Sequence, residues 1–439
     1  MDENADEQLI KEAARILKGN DRGGWTVPAG NLYPHQWLWD SCFIAIGLRH
    51  LDAERAQAEL RSLLRGQWDN GMLPNIIFAG EGERRHVDLW RSWVNPFAPE
   101  SVATSGITQP PMLAEAVLRV GQRLKIPERR SWYKEMLPAL VRYHEWLYAD
   151  RDPHREGLIL LLHPYESGLD NSPPWISELR KHSMPWWVSL IEKLRLDSLV
   201  NLFRRDTKYV PPGQRMSNIE ALAYWAAVHR LRRKAYNSEA LISRSLFAVE
   251  DLAFNSIFLR ANSCLQEIAK TAGRSLPELL TENMDRTNKA FEQLWDESSG
   301  AYYSRSFVSH KLIEEPTISS LLPLYSGAIS KSRAQELVNR LKKGGNATKW
   351  PVPTVPRDSA YFNPVKYWQG PSWVNTNWLI IDGLLRYGFS EEAGLLRDRT
   401  IEMVAKGGFY EYFNPLNGRP AGADNFSWTA ALIIDLLKS

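Results

Sequence analysis

The chain has 439 residues, of which 44% are hydrophobic and 24% charged, so it holds enough apolar surface for a large core and is not expected to be disordered. Its net charge of +3 is spread along the chain, which argues against nucleic acid as a partner. The acidic first residues and the lack of a membrane-length apolar run argue against a secretory signal and a membrane span, so we expect a cytoplasmic protein.

Helical periodicity dominates the sequence: apolar residues recur three and four apart, and no alternating run is long enough for a central sheet. The predicted helices, in chain order, are Glu7–Leu17, Ser41–Leu51, Glu54–Gly66, Pro111–Leu124, Arg130–Tyr148, Asn218–Arg233, Phe247–Ala272, Leu276–Trp295, Thr317–Leu324, Lys331–Lys342, Ser372–Tyr387, Glu391–Val404 and Phe426–Leu437. About a dozen helices close an (α/α)6 barrel. We therefore predict an all-α fold in which residues 1–439 form one (α/α)6 domain.

Several of these helices share a pattern, in which an aromatic or polar cluster precedes a strongly apolar helix. The clusters are Trp37-Leu-Trp-Asp, Ile107-Thr-Gln-Pro-Pro, Tyr367-Trp-Gln-Gly-Pro-Ser-Trp and Phe426-Ser-Trp. A helix that is apolar nearly all round must be buried, so the pattern predicts an inner ring of helices with the clusters at one end of it. Ser or Asn in such a cluster is also ordinary N-cap chemistry, so each cluster alone has a structural explanation.

Two long irregular stretches interrupt the helices, at residues 163–217 and 344–371. Loops of this length inside a compact domain are usually binding loops or disordered, and their aromatic content argues against disorder. We expect both to be lid-like insertions, built of loop and helix, over one end of the barrel, with a helical part in the first stretch before Val210.

The Trp content of the chain favours a carbohydrate ligand, whereas its cysteines indicate no function. The chain has 18 Trp, many beside Gly, Pro, Asn or Asp; because an indole face packs on a sugar ring while its N–H bonds a hydroxyl, this composition favours carbohydrate. Cys42 and Cys264 are the only cysteines, and both lie in apolar helices where a buried thiol is expected. We assign no function to either cysteine.

Two carboxylates lie in irregular, aromatic-rich segments. They are Asp170, within Gly168-Leu-Asp-Asn-Ser-Pro-Pro-Trp175, and Glu411, within Phe409-Tyr-Glu-Tyr-Phe-Asn-Pro. Inverting hydrolysis of a glycosidic bond needs one protonated carboxyl and one carboxylate that activates water. Without further information Asp170 could equally be a turn or cap residue, and Glu411 a solvated residue of a small hairpin.

Together, in this order, these motifs resemble those of glycoside hydrolase family 63, in particular its bacterial mannosylglycerate and glucosylglycerate hydrolase branch, from about Asn31 to the C-terminus. The resemblance implies an (α/α)6 fold and inversion of configuration, with Asp170 as general acid and Glu411 as general base. It also implies a sugar pocket, to which we assign Tyr33, Trp37, Trp39, Asp40, Gln109, Trp175, Tyr367, Trp368, Gly370 and Trp373. About a third of the Trp residues named are expected to be core residues instead, and Asp40 has the alternative of capping a helix.

The segment Gln214–Trp225 corresponds to a lid region that, in the family branch, helps to close over glycerate. Arg215 can pair with a carboxylate through two hydrogen bonds, whereas Ala221 or a neighbour stands where the family pattern has tyrosine. The predicted function is hydrolysis of a small α-glucosyl or α-mannosyl compound such as glucosylglycerate or mannosylglycerate.

Other functions remain open at this stage. The substrate could be a short α-gluco-oligosaccharide. The same fold also hosts sugar isomerases and epimerases that use paired histidines, but the nine histidines form no obvious pair; an inactive carbohydrate-binding protein would tolerate loss of either carboxylate, yet both are present. No metal-binding motif occurs, so we expect neither metal nor cofactor. The expected partner is a small carbohydrate, and a homo-oligomer stays open as an option.

Overall fold

The computed structural model describes residues 3–80, 84–181, 184–202, 204, 206–242 and 247–439, so parts of the predicted 163–217 insertion lie outside the described residues. The α-helices are α1 (Glu3–Asn20), α2 (Leu38–Leu48), α3 (Ala53–Leu63), α4 (Arg84–Trp90), α5 (Leu113–Gln122), α6 (Ile126–Arg151), α7 (Pro173–Lys181), α8 (Trp186–Lys193), α9 (Asn218–Arg233), α10 (Ser238–Ile242), α11 (Leu252–Ala272), α12 (Glu278–Ala290), α13 (Pro323–Ser326), α14 (Lys331–Leu341), α15 (Val374–Arg386), α16 (Ser390–Gly407) and α17 (Ser427–Lys438).

Strands are short and form only two- and three-stranded sheets in the described part of the chain. They are β1 (Gln36–Trp37), β2 (Ile76–Ile77), β3 (Val249–Glu250), β4 (Trp295–Asp296), β5 (Ala301–Tyr302), β6 (Ser304–Ser306), β7 (Leu312–Ile313), β8 (Tyr412–Phe413) and β9 (Pro420–Ala421). All pairings are antiparallel: β1 with β2, β3 with β6 and β6 with β7, β4 with β5, and β8 with β9. The predicted all-α fold is confirmed.

Six helices form a closed inner ring within the described residues. Going round the ring, α2 contacts α5, α5 contacts α11, then α13, α15 and α17 follow, and α17 packs back on α2. Each inner helix has an outer helix packed against it: α3 on α2, α6 on α5, α12 on α11, α14 on α13, α16 on α15 and α1 on α17. This arrangement is the (α/α)6 barrel that the sequence predicts.

The division into two rings follows from the sequence of each helix. Every residue of α2 is buried, and α17 is buried from Ser427 to Leu436, as expected for helices that are apolar nearly all round. The outer helix α3 is amphipathic and begins with an N-cap, where the Asp52 side chain accepts a hydrogen bond from Arg55 N at 2.9 Å.

The two ends of the chain meet where the ring closes. Asn20, the last residue of α1, donates from Nδ2 to Ser427 Oγ at 2.9 Å and to the Asn425 carbonyl at 2.8 Å. Ser427 N donates to the Pro28 carbonyl at 2.8 Å. The first turn of the last helix is therefore held by residues from the first thirty.

Some helix bounds differ from the prediction for identifiable reasons. The predicted helix from Thr317 is a 3-10 turn, Ile318–Leu321, followed by the short α13, because Pro323 lacks the N–H that would continue the first turn. The predicted helix from Phe247 begins only at Leu252, because Val249 and Glu250 pair with β6 and the Asp251 side chain caps the helix. Helices α4 and α10 were not predicted, and α7 and α8 lie in the 163–217 stretch, where helical structure was expected without bounds. Each of the four spans fewer than ten residues.

Candidate active site

A cavity of about 370 Å³ opens at the N-terminal ends of the inner helices. Asp40 reaches it from the first turn of α2, Trp373 from the N-cap of α15 and Trp428 from the first turn of α17. Each belongs to one of the clusters that precede the apolar helices. Of the residues proposed from the sequence, the cavity is lined by Tyr33, Trp37, Trp39, Asp40, Gln109, Asp170, Arg215, Tyr367, Trp368, Trp373 and Glu411.

Asp170 lies in the turn before α7, and its carboxyl belongs to the cavity wall rather than to a helix cap. Tyr367 Oη donates to Asp170 Oδ2 at 3.0 Å, and Tyr224 Oη of α9 donates to the Asp170 carbonyl at 2.5 Å. Burial raises the pKa of Asp170 to about 7, with the negative charge of Glu411 adding to the rise. A carboxyl with this pKa holds its proton in a large fraction of molecules near neutral pH.

Glu411 is buried at the start of the β8–β9 hairpin, with 1% of its surface exposed, so it is not the solvated hairpin residue of the alternative. Its carboxylate is surrounded by donors. Tyr33 Oη donates to Oε1 at 2.7 Å, Ala423 N donates to Oε2 at 3.0 Å, and Arg215 Nη1 lies 3.2 and 3.3 Å from the two oxygens. Such charge-assisted contacts fix the orientation of the carboxylate in the cavity.

Arg215 joins Glu411 to the aromatic wall. Besides Glu411, its guanidinium donates from Nη2 to Tyr33 Oη at 2.7 Å and lies 4.0 Å from the centre of the Tyr367 ring. Asp206 Oδ2 stands 3.6 Å from Arg215 Nε, so two carboxylates flank one guanidinium. Because Arg215 comes from the 163–217 insertion, this insertion supplies a charged group to the site.

Asp40 lies inside α2 rather than at its cap, because the helix begins at Leu38. Burial raises the pKa of Asp40 well above its usual range, and the charges of Glu411 and Asp170 act in the same direction. A protonated Asp40 can donate as well as accept a hydrogen bond, which suits a sugar hydroxyl.

Indole rings form much of the remaining wall. Trp368 and Trp373 stack with ring centres 3.7 Å apart, and Trp428 meets Trp39 edge to face at 5.4 Å. Among the described residues, the buried indole N–H groups of Trp37, Trp368 and Trp428 have no hydrogen-bond partner in the protein.

Trp175 and Gly370 do not line the cavity. Trp175 is a core residue that donates from Nε1 to the Leu169 carbonyl at 3.0 Å and so supports the turn that carries Asp170. Gly370 has φ of +148°, and a Cβ at this position would lie 2.3 Å from the Asn363 carbonyl oxygen. Its role is to permit the tight turn between Trp368 and Trp373.

Several lining residues were not singled out from the sequence. Trp428 and Phe426 belong to a cluster that had been noted, and Tyr224 lies in a correctly predicted helix, but nothing in the sequence shows that they face the cavity. No sequence motif marks the other lining residues, which are Arg204, Asp206, Met216, Tyr165 and His35.

Among the described residues no group of three or more His, Cys, Asp or Glu side chains is arranged to hold a metal ion. No described helix is long and apolar enough to span a membrane.

The Tyr367–Asp170 hydrogen bond predicts a shift in pH dependence. If Asp170 acts as an acid, activity is present below its pKa and is lost as pH rises through about 7. The Tyr367 hydrogen bond lowers this pKa, so Tyr367→Phe is expected to move the alkaline limb of kcat/KM to higher pH. Tyr412→Phe is the control, because its hydroxyl donates to the Gln214 carbonyl and not to Asp170. An unmoved limb in Tyr367→Phe contradicts the assignment.

Comparisons with known proteins match nearly the whole length of the chain. The family described as mannosylglycerate hydrolase MGH1-like glycoside hydrolase domain matches residues 33–429. The chain is 37% identical over 430 residues to a mannosylglycerate hydrolase from Thermus thermophilus (96% of this chain, 99% of that protein) and 34% identical over 447 residues to a glucosylglycerate hydrolase from Mycolicibacterium hassiacum (98% of each). A crystal structure of a glycoside hydrolase family 63 mannosylglycerate hydrolase from Thermus thermophilus, in complex with Tris and D-glycerate, matches with a TM-score of 0.88 at 36% identity, covering 97% of this chain and 99% of that one.

Proposed function

Because the chain belongs to the mannosylglycerate hydrolase MGH1-like family of glycoside hydrolases, we propose that Asp170 and Glu411 are the acid and the base of its reaction. The chain is an inverting α-glycosidase of glycoside hydrolase family 63, and the resemblance carried by the sequence motifs is confirmed. Our proposals concern which residues perform the reaction, which substrate is used and what the insertions do.

The observation that carries the assignment is the contrast between two carboxyl groups in one cavity. Burial raises the pKa of Asp170 to about 7, whereas Glu411 is surrounded by a guanidinium, a phenol and a backbone N–H. In the proposed reaction, the Asp170 proton passes to the glycosidic oxygen as the C1–O bond breaks. Glu411 takes a proton from water while the water oxygen bonds to C1 from the opposite face. The departing alcohol and the inverted sugar are the products.

The sugar is proposed to occupy the part of the cavity formed by the ends of the inner helices. Asp40 and Gln109 are placed to bond hydroxyl groups, and the indole rings of Trp39, Trp368 and Trp373 supply apolar walls. Sugars present both kinds of surface, since C–H faces alternate with hydroxyl edges.

We propose that residues 163–217 and 344–371 act as lid segments of one catalytic domain that spans residues 1–439. The first contributes Asp170 and Arg215 to the cavity, and the second contributes Tyr367 and Trp368. The segments also contact each other: Gln369 Nε2 donates to the Asn171 carbonyl at 2.8 Å and to Glu220 Oε1, at the start of α9, at 3.1 Å. The acid is therefore held between the two proposed lids.

The proposed substrate is glucosylglycerate or mannosylglycerate, the compounds in the names of the similar hydrolases. A cavity of about 370 Å³ suits one small ligand better than an oligosaccharide. Arg215 supplies a positive charge close to the reacting groups, and we assign it to the glycerate carboxylate. This use requires the carboxylate to share the guanidinium with Glu411 and Asp206.

Proton NMR of the purified protein with glucosylglycerate, mannosylglycerate and a panel of short α-glucans tests the assignment. The expected result is initial release of the β-anomer of the sugar from one of the glycerate compounds. Turnover of the α-glucans alone contradicts the glycerate assignment but leaves the inverting glycosidase intact. Initial release of the α-anomer contradicts the proposed roles of Asp170 and Glu411.

The role of Arg215 predicts a change in selectivity. Glucosylglycerol carries a CH2OH group where glucosylglycerate carries the carboxylate, so the ratio of their kcat/KM values measures what the carboxylate contributes. A hydrogen-bonded charge pair is worth roughly 1.5–3 kcal/mol, so the wild type should favour the glycerate compound by about 10- to 100-fold. Arg215→Lys keeps a positive charge near Glu411 but loses the two-pronged geometry, and the ratio should fall by about 10-fold. An unchanged ratio removes Arg215 from the glycerate site.

Three further expectations from the sequence remain proposals. They are a cytoplasmic location, the lack of a nucleic-acid partner, and assembly with further copies of the chain.

A further inference from the structure

Glu166 is a buried carboxylate in the same motif as the proposed acid, and the proposed reaction does not use it. Its surface is 0% exposed and it does not line the cavity, although Asp170 follows it by only four residues. It lies in the 3-10 helix Pro164–Ser167, whose N-cap is His163. Burying a carboxylate costs free energy, which its contacts must offset.

Donors from three segments converge on the two oxygens of Glu166. Arg151, the last residue of α6, donates from Nη2 to Oε1 at 2.8 Å, and both side chains of this ion pair are buried. Leu162 N and His163 N donate to Oε2 at 2.7 and 3.2 Å. Thr108 N donates to Oε1 at 3.4 Å. Because all four partners are donors, the site fits an ionised carboxylate better than an amide or a protonated carboxyl.

Two of these three segments carry residues of the cavity. Thr108 directly precedes Gln109, which lines the cavity, and the chain that follows Leu162 leads to Asp170. The third segment belongs to the barrel itself, since α6 packs on α5 and α11. The Glu166 carboxylate therefore fastens the turn of the proposed acid and the loop of a proposed sugar-binding amide to one point of the barrel.

The turn between Glu166 and Asp170 is held by a side chain of its own. Ser167 Oγ donates to the Pro164 carbonyl at 2.7 Å and accepts from Leu169 N at 3.0 Å. One hydroxyl thus joins the start of the 3-10 helix to the residue before the acid. A displacement of Glu166 is therefore expected to move Asp170 with it.

We propose that Glu166 is a positioning residue, which keeps the Asp170 carboxyl in place for proton transfer to the glycosidic oxygen. This inference rests on the proposed role of Asp170 as the acid. Glu166 takes no part in the transfer itself, because it does not reach the cavity. Its contribution is geometric: a misplacement of about 1 Å at a reacting group can cost roughly 10²-fold in rate.

Glu166→Gln tests the proposal. The amide must turn its NH2 group toward either Arg151 Nη2 or Leu162 N, and both are donors, so the contact on one side is lost. On the glycoside of the NMR panel that the wild type hydrolyses, kcat is expected to fall by about 10²-fold. On the α-glycosyl fluoride of the same sugar, kcat should stay close to the wild-type value, since fluoride departs without full protonation. The ratio of the two rates therefore reports the position of the acid.

Asp435→Asn is the matched control. Asp435 is buried near the C-terminal end of α17, away from the cavity, and accepts from Arg49 Nη2 at 2.7 Å and from Trp378 Nε1 at 2.8 Å. Each variant leaves a buried arginine without its charged partner, so both should lower the melting temperature. The ratio of the rates on glycoside and fluoride should change in Glu166→Gln and stay unchanged in Asp435→Asn.

The pH profile separates positioning from catalysis. In Glu166→Gln the alkaline limb on the glycoside should persist, because Asp170 still titrates. Loss of this limb would make Glu166 itself the acid and overturns the proposal. Equal losses on glycoside and fluoride, or no loss on either, overturn it as well. If instead Asp170→Asn fails to spare the fluoride, the acid assignment is wrong, and this outcome is distinct from the others.

A second variant keeps the test valid if Glu166→Gln does not fold. Arg151→Lys retains the positive charge beside Glu166 but not the planar guanidinium, whose Nη1 and Nη2 lie 3.5 and 2.8 Å from the two carboxylate oxygens. It should change the ratio in the same direction by a smaller factor. An unchanged ratio in a folded Arg151→Lys overturns the positioning role.

Discussion

Replacing Glu411 by glutamine is expected to lower kcat by about 10²- to 10⁴-fold, the range that general-base catalysis contributes. Glutamine has nearly the same size, and its amide oxygen can still accept from Tyr33 or from Ala423 N. It cannot take a proton from water. Steady-state kinetics on the sugar compound that the wild type hydrolyses measures the effect.

The substitution also removes a partner of Arg215, and a control separates the two effects. Asp206→Asn removes the other carboxylate beside the guanidinium without touching the proposed base. The base assignment expects Asp206→Asn to retain most of its kcat. Equal losses in the two variants would mean that the position of Arg215, and not proton transfer to Glu411, limits the rate.

A small external anion gives a positive test of the same residue. In Glu411→Ala the shortened side chain leaves room beside C1, and azide needs no base to act as a nucleophile. Azide should therefore restore turnover and yield the β-glycosyl azide, because it attacks from the face that water uses. Formation of the α-glycosyl azide would contradict the placement of Glu411.

Replacing Asp170 by asparagine is expected to have an effect that depends on the leaving group. The loss should be about 10²- to 10⁴-fold for a substrate whose departing alcohol needs a proton. It should be small for the α-glycosyl fluoride of the same sugar, since fluoride departs without full protonation. The alkaline limb near pH 7 should also vanish in this variant, because the group with a pKa of about 7 is gone. Rates on both substrates across pH measure these effects.

Asp251→Asn is the matched control for the acid. Burial raises the pKa of Asp251 to about 6, yet this residue caps α11 and does not line the cavity. Asparagine can keep the cap by accepting from Phe254 N, so activity and its pH profile should persist. The rate of Asp170→Asn on the fluoride can be compared with its rate on the substrate whose departing alcohol needs a proton. If both rates fall by the same factor, Asp170 is needed for something other than proton donation.

The inner ring could be predicted because the amino-acid composition of its helices shows that they must be buried. A helix such as α2, apolar on every side, has no stable place outside a core. The predicted bounds of α9 are the observed ones, and in the structure a capping box of Ser217 and Glu220 explains why the helix begins there. The helices α7 and α8 could not be given bounds because they are short, and the first begins with two prolines.

The direction in which a side chain points was harder to predict than the helix or loop to which the residue belongs. Trp175 and Trp373 both follow Pro-rich motifs, yet the first supports a turn from the core while the second faces the cavity. Which of these happens depends on how separate segments pack, and the periodicity of one segment does not contain that information. Trp428 was overlooked for the same reason, although its motif had been noted.

Ring closure by α17 has a consequence for how the protein is made. The bond from Tyr33 to Glu411 and the contact of Asn20 with Ser427 join residues 378 and 407 positions apart. During synthesis the face of α2 that packs on α17 stays uncovered until α17 has left the ribosome, and the cavity cannot be complete before Trp428 is in place. Closing loops of this length is entropically slow, so nascent chains pass through a long aggregation-prone stage in which chaperones can bind them.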